Sequence, residues 1–68
     1  MNKLDRSPNI YETGYFFFNS EKEEVGGAAS TIHHKPMAQK KANELGEPVD
    51  VYLASGNRWH YIGKFTNE

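Results

Sequence analysis

Apolar residues occur along this chain first as an unbroken run, then at every third or fourth position, then at every second, and these changes of period divide it into elements. The run comes first. The stretch "YETGYFFFN" carries aromatic side chains at strand-like density, with Gly14 as a bend or bulge, and predicts a strand over 14–19. A charged turn, "SEKEE", follows. Next, "VGGAASTI" offers Val25, Ala29, Thr31 and Ile32 around Gly26 and Gly27, completing a β-hairpin over 14–31. Glycines have no side chain to pack, which weakens that second strand but leaves space for large rings from its neighbour.

The helical period lies in "HHKPMAQKKANELGEP". Pro36 fits a first helical turn, where its missing N–H has no bond to lose. Ala38, Ala42 and Leu45 fall at i, i+4 and i+7, with Met37 beside this stripe and Lys40, Lys41, Asn43 and Glu44 turned mainly outward. Gly46 suits the left-handed C′ position and Pro48 blocks continuation, so the helix is predicted over 36–45. In "VDVYLASGNRWHYIGKF" the period becomes two. Val49, Val51 and Leu53 alternate with Asp50 and Tyr52 as in a strand with one buried face, and "SGN" supplies turn residues. In the returning strand Trp59, Tyr61 and Phe65 oppose His60, Ile62 and Lys64, and a bulge near Gly63 would reconcile their faces.

The sum is a small α+β fold: an antiparallel sheet of three to four strands with one helix on one face, in the order β-β-α-β-β. Residues 1–9, polar and interrupted by Pro8, predict a flexible N-terminal arm, and 10–68 a single domain in which order starts near Ile10 or Tyr11. A ten-residue helix is about 15 Å long and covers one sheet face. Successive strand residues point to opposite faces, so only half of "YFFF" can join Val49, Val51, Leu53, Ala38, Ala42 and Leu45 beneath it. The other half, with Tyr52 and part of the Trp59, Tyr61 and Phe65 set, must find other cover. It forms either an exposed patch that binds a partner or, closed by strand twist and the polar arm, a second small core.

Length sharpens this question. A chain of 68 residues buries only about 60% of its unfolded surface, and with no cysteine it has neither disulfides nor a thiolate zinc site to compensate. Nine aromatic residues supply the burial instead. The net charge of −1 gives no general attraction to nucleic acid or anionic membranes. The opening "MNKLDRSPNI" contains no apolar segment of the kind a secretory signal or membrane anchor needs, so the expected location is cytoplasmic.

Chemistry is sparse. His33 and His34 are adjacent and diverge, and neither they nor His60 stand at ligand spacing from another donor, so neither metal nor cofactor is expected. No serine has a nucleophile setting, both glycine-rich phosphate-loop patterns are absent, and the glutamates at 21, 23 and 24 form a solvated charge run; catalytic residues are not expected. What remains is binding. Trp59, Tyr61, Tyr52, Arg58, Phe16 and Phe18 are the candidate partner-binding residues, because tryptophan, tyrosine and arginine dominate interface hot spots. The expected function is a non-enzymatic protein-binding regulator or inhibitor, of a size common among bacteriophage and mobile-element products. The alternative is a single-stranded nucleic-acid module in which Trp59 and Tyr61 stack on bases while Arg58 and Lys64 meet phosphates. A homodimer through the uncovered face is a third outcome.

Overall fold

The computed structural model describes residues 3–9, 13–29 and 31–67, without side-chain detail at 3 and 31–33. Ile10 and Tyr11, where order was expected to start, lie outside the described residues. A 3₁₀ turn (Lys3–Asp5) precedes β1 (Gly14–Phe18), β2 (Glu24–Ala28), α1 (Thr31–Leu45), β3 (Val49–Ser55) and β4 (Arg58–Phe65). The four strands form one antiparallel sheet in the order β2-β1-β3-β4, so the two hairpins meet where β1 pairs with β3. This is the β-β-α-β-β fold that the periods predict.

The helix differs most from expectation. It begins at Thr31, leaving Pro36 inside it instead of in its first turn, and the second strand of the first hairpin ends at Ala28. A proline there removes one backbone bond, but the added turn has its own packing. His34 is buried and its ring stacks on Tyr15 with centroids 4.2 Å apart and planes 6° from parallel. The buried stripe therefore runs His34, Ala38, Ala42, while Leu45, expected in the core, is 42% exposed. At the other end, Gly46 takes φ 69°, and both its N–H and that of Glu47 donate to the Ala42 carbonyl. These bonds satisfy a carbonyl that the helix end would otherwise orphan.

Small helix residues let the sheet approach closely. Phe17, Val49 and Val51 fill the space above Ala38 and Ala42, and Tyr15, Val25, Ala28 and Phe65 pack around them. Phe65 belongs to this side because β4 shifts register opposite Val51 and Tyr52: Gly63 faces Val51, Tyr61 faces Tyr52, and Ile62 is the extra residue. The shift sends Tyr61 and Trp59 to the sheet's other face, which resolves the ambiguity of β4. Asn57 and Gly56 both have positive φ (61° and 59°), as a two-residue hairpin turn matched to strand twist requires.

Polar ties close the perimeter. Gln39 donates to the Thr66 carbonyl (2.7 Å), holding the helix to the chain beyond β4. Asn19 Oδ1 accepts from the backbone N–H groups of Glu21 and Glu23, shaping the β1–β2 loop. Ser20 donates to Glu47 from both its backbone N–H (3.1 Å) and hydroxyl (2.8 Å), and these bonds hold the Glu47 carboxyl below its usual range. That tie is present above the ordinary glutamate value and is lost as pH falls through the lowered one.

Gly27 is the position where a side chain has least room. A Cβ there would lie 2.8 Å from the Tyr15 carbonyl oxygen, whereas at Gly63 it would meet nothing within 4 Å. Gly27→Ala is therefore expected to destabilise the fold by about 1–3 kcal/mol and Gly63→Ala to leave it within about 0.5 kcal/mol. Urea unfolding followed by circular dichroism separates the two; equal midpoints for Gly27→Ala and the parent chain would show that the β1–β2 spacing is not tight.

Candidate functional site: the aromatic face

The sheet face away from the helix is built by residues that the register brings into line. Phe16 and Phe18 come from β1, Asp50, Tyr52 and Ala54 from β3, and Trp59 and Tyr61 from β4. Five rings form one connected cluster. Trp59 meets Phe16, Phe18 and Tyr52 edge-on, with centroids 5.5, 5.9 and 6.4 Å away. Tyr52 in turn meets Phe18 edge-on at 5.6 Å and Tyr61 at a tilt at 5.2 Å. Perpendicular contacts place a positive ring edge on a negative ring face, and each contributes roughly 0.5–1.5 kcal/mol beyond simple burial.

All five aromatic candidates thus share one site, but they do not stand in it alike. Phe18 is fully buried, so it supports the face from beneath instead of meeting a partner directly. Phe16, Tyr52 and Trp59 are half-buried. Tyr61, 55% exposed, is the open end of the cluster, and Ile62 beside it is 41% exposed. Arg58 opens β4 next to the turn and is exposed.

Part of the cover comes from the N-terminal segment. The Trp59 indole N–H donates to the Arg6 carbonyl at 2.8 Å, and Pro8 is buried. Residues 4–7 and 57–59 line a shallow groove of ≈ 420 Å³ between this segment and the β3–β4 turn. The rings are to this extent a second small core.

One charged group is buried within the face. Asp50 is only 7% exposed, accepts from the Tyr61 hydroxyl at 3.2 Å, and pairs with Lys22 at 3.4 Å. Lys22 takes a positive φ of 67° in the β1–β2 loop. The alternation of β3 predicted Asp50 on a solvent face; instead β3 is covered on both sides, and the carboxylate is kept by a cation and a phenol. The signal was present as an acid between two valines, but nothing in the sequence tied it to Lys22 or Tyr61. Removal of the phenolate from water, then the nearby Asp50 carboxylate, push the Tyr61 hydroxyl above the ordinary tyrosine value.

Among the described residues there is no cluster of three histidine, cysteine or carboxylate side chains able to hold a metal, and no helix is long and apolar enough to cross a membrane. Neither a protein-family model, nor a curated protein, nor a solved structure matches the chain.

Two outcomes follow from this geometry. Trp59→Ala removes three ring contacts of the cluster and is expected to cost about 2–4 kcal/mol; an unchanged denaturation midpoint would return Trp59 to the surface. Tyr61 is expected to ionise above 10.0, its ordinary value, and Asp50→Asn to bring it down, read from its ring signals by NMR across alkaline pH. The folded chain holds this proton more tightly than the unfolded one, so the associated stability is complete below pH 10 or so and is lost as pH rises through the folded value. A Tyr61 titration indifferent to Asp50→Asn would break the assigned bond.

Proposed function

We propose that this protein is a small non-enzymatic binding module that regulates or inhibits a larger protein, and that Tyr61 is the centre of its contact surface. The observation that carries this reading is the continuity of the exposed Tyr61 ring with the buried aromatic cluster: its neighbours hold it in place, so little rotamer freedom is lost on binding. Tyr52 and Trp59 flank it from within the face, Arg58 supplies a rim cation, and Phe16 and Phe18 hold the platform. A stable interface takes about 800 Å² from each partner, more than two exposed side chains provide. The partner therefore extends over the β4 edge or onto residues 3–9. A cytoplasmic setting and an origin in a bacteriophage or mobile element fit a regulator of this size by association only.

The nucleic-acid alternative draws on Lys64, which stands opposite Asp50 in the β3–β4 register, and on Lys22, which pairs with Asp50. Asp50 works against it. A buried carboxylate on the face opposes a phosphate backbone, and it already engages Lys22.

Affinity capture of the tagged chain from bacterial lysate, with and without nuclease, tests the reading when run beside Tyr61→Ala and Arg58→Ala. The expected result is a stoichiometric protein that survives nuclease and is lost with Tyr61→Ala, at a cost of about 2 kcal/mol or more in affinity, while circular dichroism shows both variants folded. Capture that nuclease abolishes, or capture indifferent to Tyr61→Ala, overturns it.

A further inference from the structure

The edge of the sheet opposite β4 has a different character. Among the described residues β2 pairs only with β1, and Gly26 and Gly27 leave the middle of that edge without side chains. Beside it runs a groove of ≈ 310 Å³, with Phe17 in its floor, the two glycines on one wall, and Met37, Lys40, Lys41 and Glu44 of α1 on the other. Met37 is 44% exposed there, although it is a large apolar residue.

We infer that this groove and edge form a docking site for an extended acidic segment of another protein, which adds a strand to β2, sets an apolar side chain against Met37 and brings a carboxylate to Lys40. An edge strand offers unpaired main-chain groups to an incoming strand, and a glycine pair lets a second backbone approach without obstruction. A flexible thioether adapts to whichever apolar side chain arrives. Charge selects the occupant. Lys41 is engaged by Glu44 at 3.3 Å, while Lys40 has no carboxylate partner among the described residues. The Lys41 side chain also lies close over Gly26, with Cε 3.5 Å from where a Cβ would stand. A second copy paired antiparallel about Gly26 would face these lysines with its own, like charge against like. Glu21 and Glu23 precede β2 and Glu24 opens it, so the ligand's carboxylate belongs beside the helix and away from that end of the strand. This surface shares no residue with the Tyr61 patch, and its fate is independent of that reading.

The test is an NMR titration of the isotope-labelled full chain with two synthetic peptides of equal length, one alternating Leu and Glu, the other Leu and Lys. The Leu/Glu peptide is expected to shift the amides of 25–28, with an affinity that falls as salt is added. The double variant Lys40→Glu, Lys41→Glu should weaken it roughly fivefold or more and favour the Leu/Lys peptide instead. Lys40→Gln, which only removes charge, is the second variant should the reversal disturb the helix, and it should weaken the Leu/Glu peptide alone. The inference is overturned if both peptides bind equally, if neither shifts these amides, if the shifts map to β4, or if the same amides shift with protein concentration alone, which would make the occupant a second copy.

Discussion

Every other element is placed by the need to keep both faces of β1 dry. Phe17 and Phe18 are adjacent, point to opposite sides of the sheet, and are 1% and 0% exposed. A central strand of this kind cannot be satisfied by one helix. The chain therefore builds two cores of different chemistry on one sheet, which at 68 residues is an economical use of its length. On the first side, alanines bring the helix close to two valines and a phenylalanine. On the second, rings meet edge to face, and a backbone carbonyl from the N-terminal segment satisfies the indole N–H that would otherwise lose its water.

The division between the two cores also explains which charges are tolerated. The helix-side cluster consists of apolar residues packed on β1 and β3, with His34 stacked on Tyr15 at its margin. Asp50 sits on the ring side, where the cluster is open at Tyr61 and the β1–β2 loop can deliver Lys22. Lys22 and the Tyr61 hydroxyl each offset part of the desolvation of this carboxylate. The loop conformation around Asn19 and the position of β4 are thus linked through one side chain.

What could be read from the residues was whatever local pattern determines. The order of elements, the turn at Gly56 and Asn57, the C-terminal stop of the helix at Gly46 and the bulge beside Gly63 are all short-range features, written in residues near each other in sequence. The start of the helix was not among them. Pro36 is a strong local signal, and it was outweighed by the burial of His34 against Tyr15, a contact between distant residues that no periodicity records. The aromatic face shows the same boundary: its members were identifiable by type, and the register then put them in one cluster. Their ranking, from enclosed Phe18 to open Tyr61, and the particular ties around them, the Arg6 carbonyl on Trp59 and Lys22 on Asp50, are long-range features that no local pattern records.

The seam between β1 and β3 has a kinetic side as well. Each hairpin can form from neighbouring residues, but the pairing of 14–18 with 50–54 encloses β2, the whole helix and the three connections around them. Non-local pairing requires loop-closure entropy to be spent before the contacts reward it, so this seam, and not the helix or either turn, sets the pace of folding. Until it closes, Phe17 and Phe18 have no dry side at all, and the unfolded chain carries an adhesive aromatic run in its first third. The charged run Glu21, Lys22, Glu23 and Glu24 follows directly, and charges flanking an apolar run are the kind of residue that disfavours association of unfolded chains.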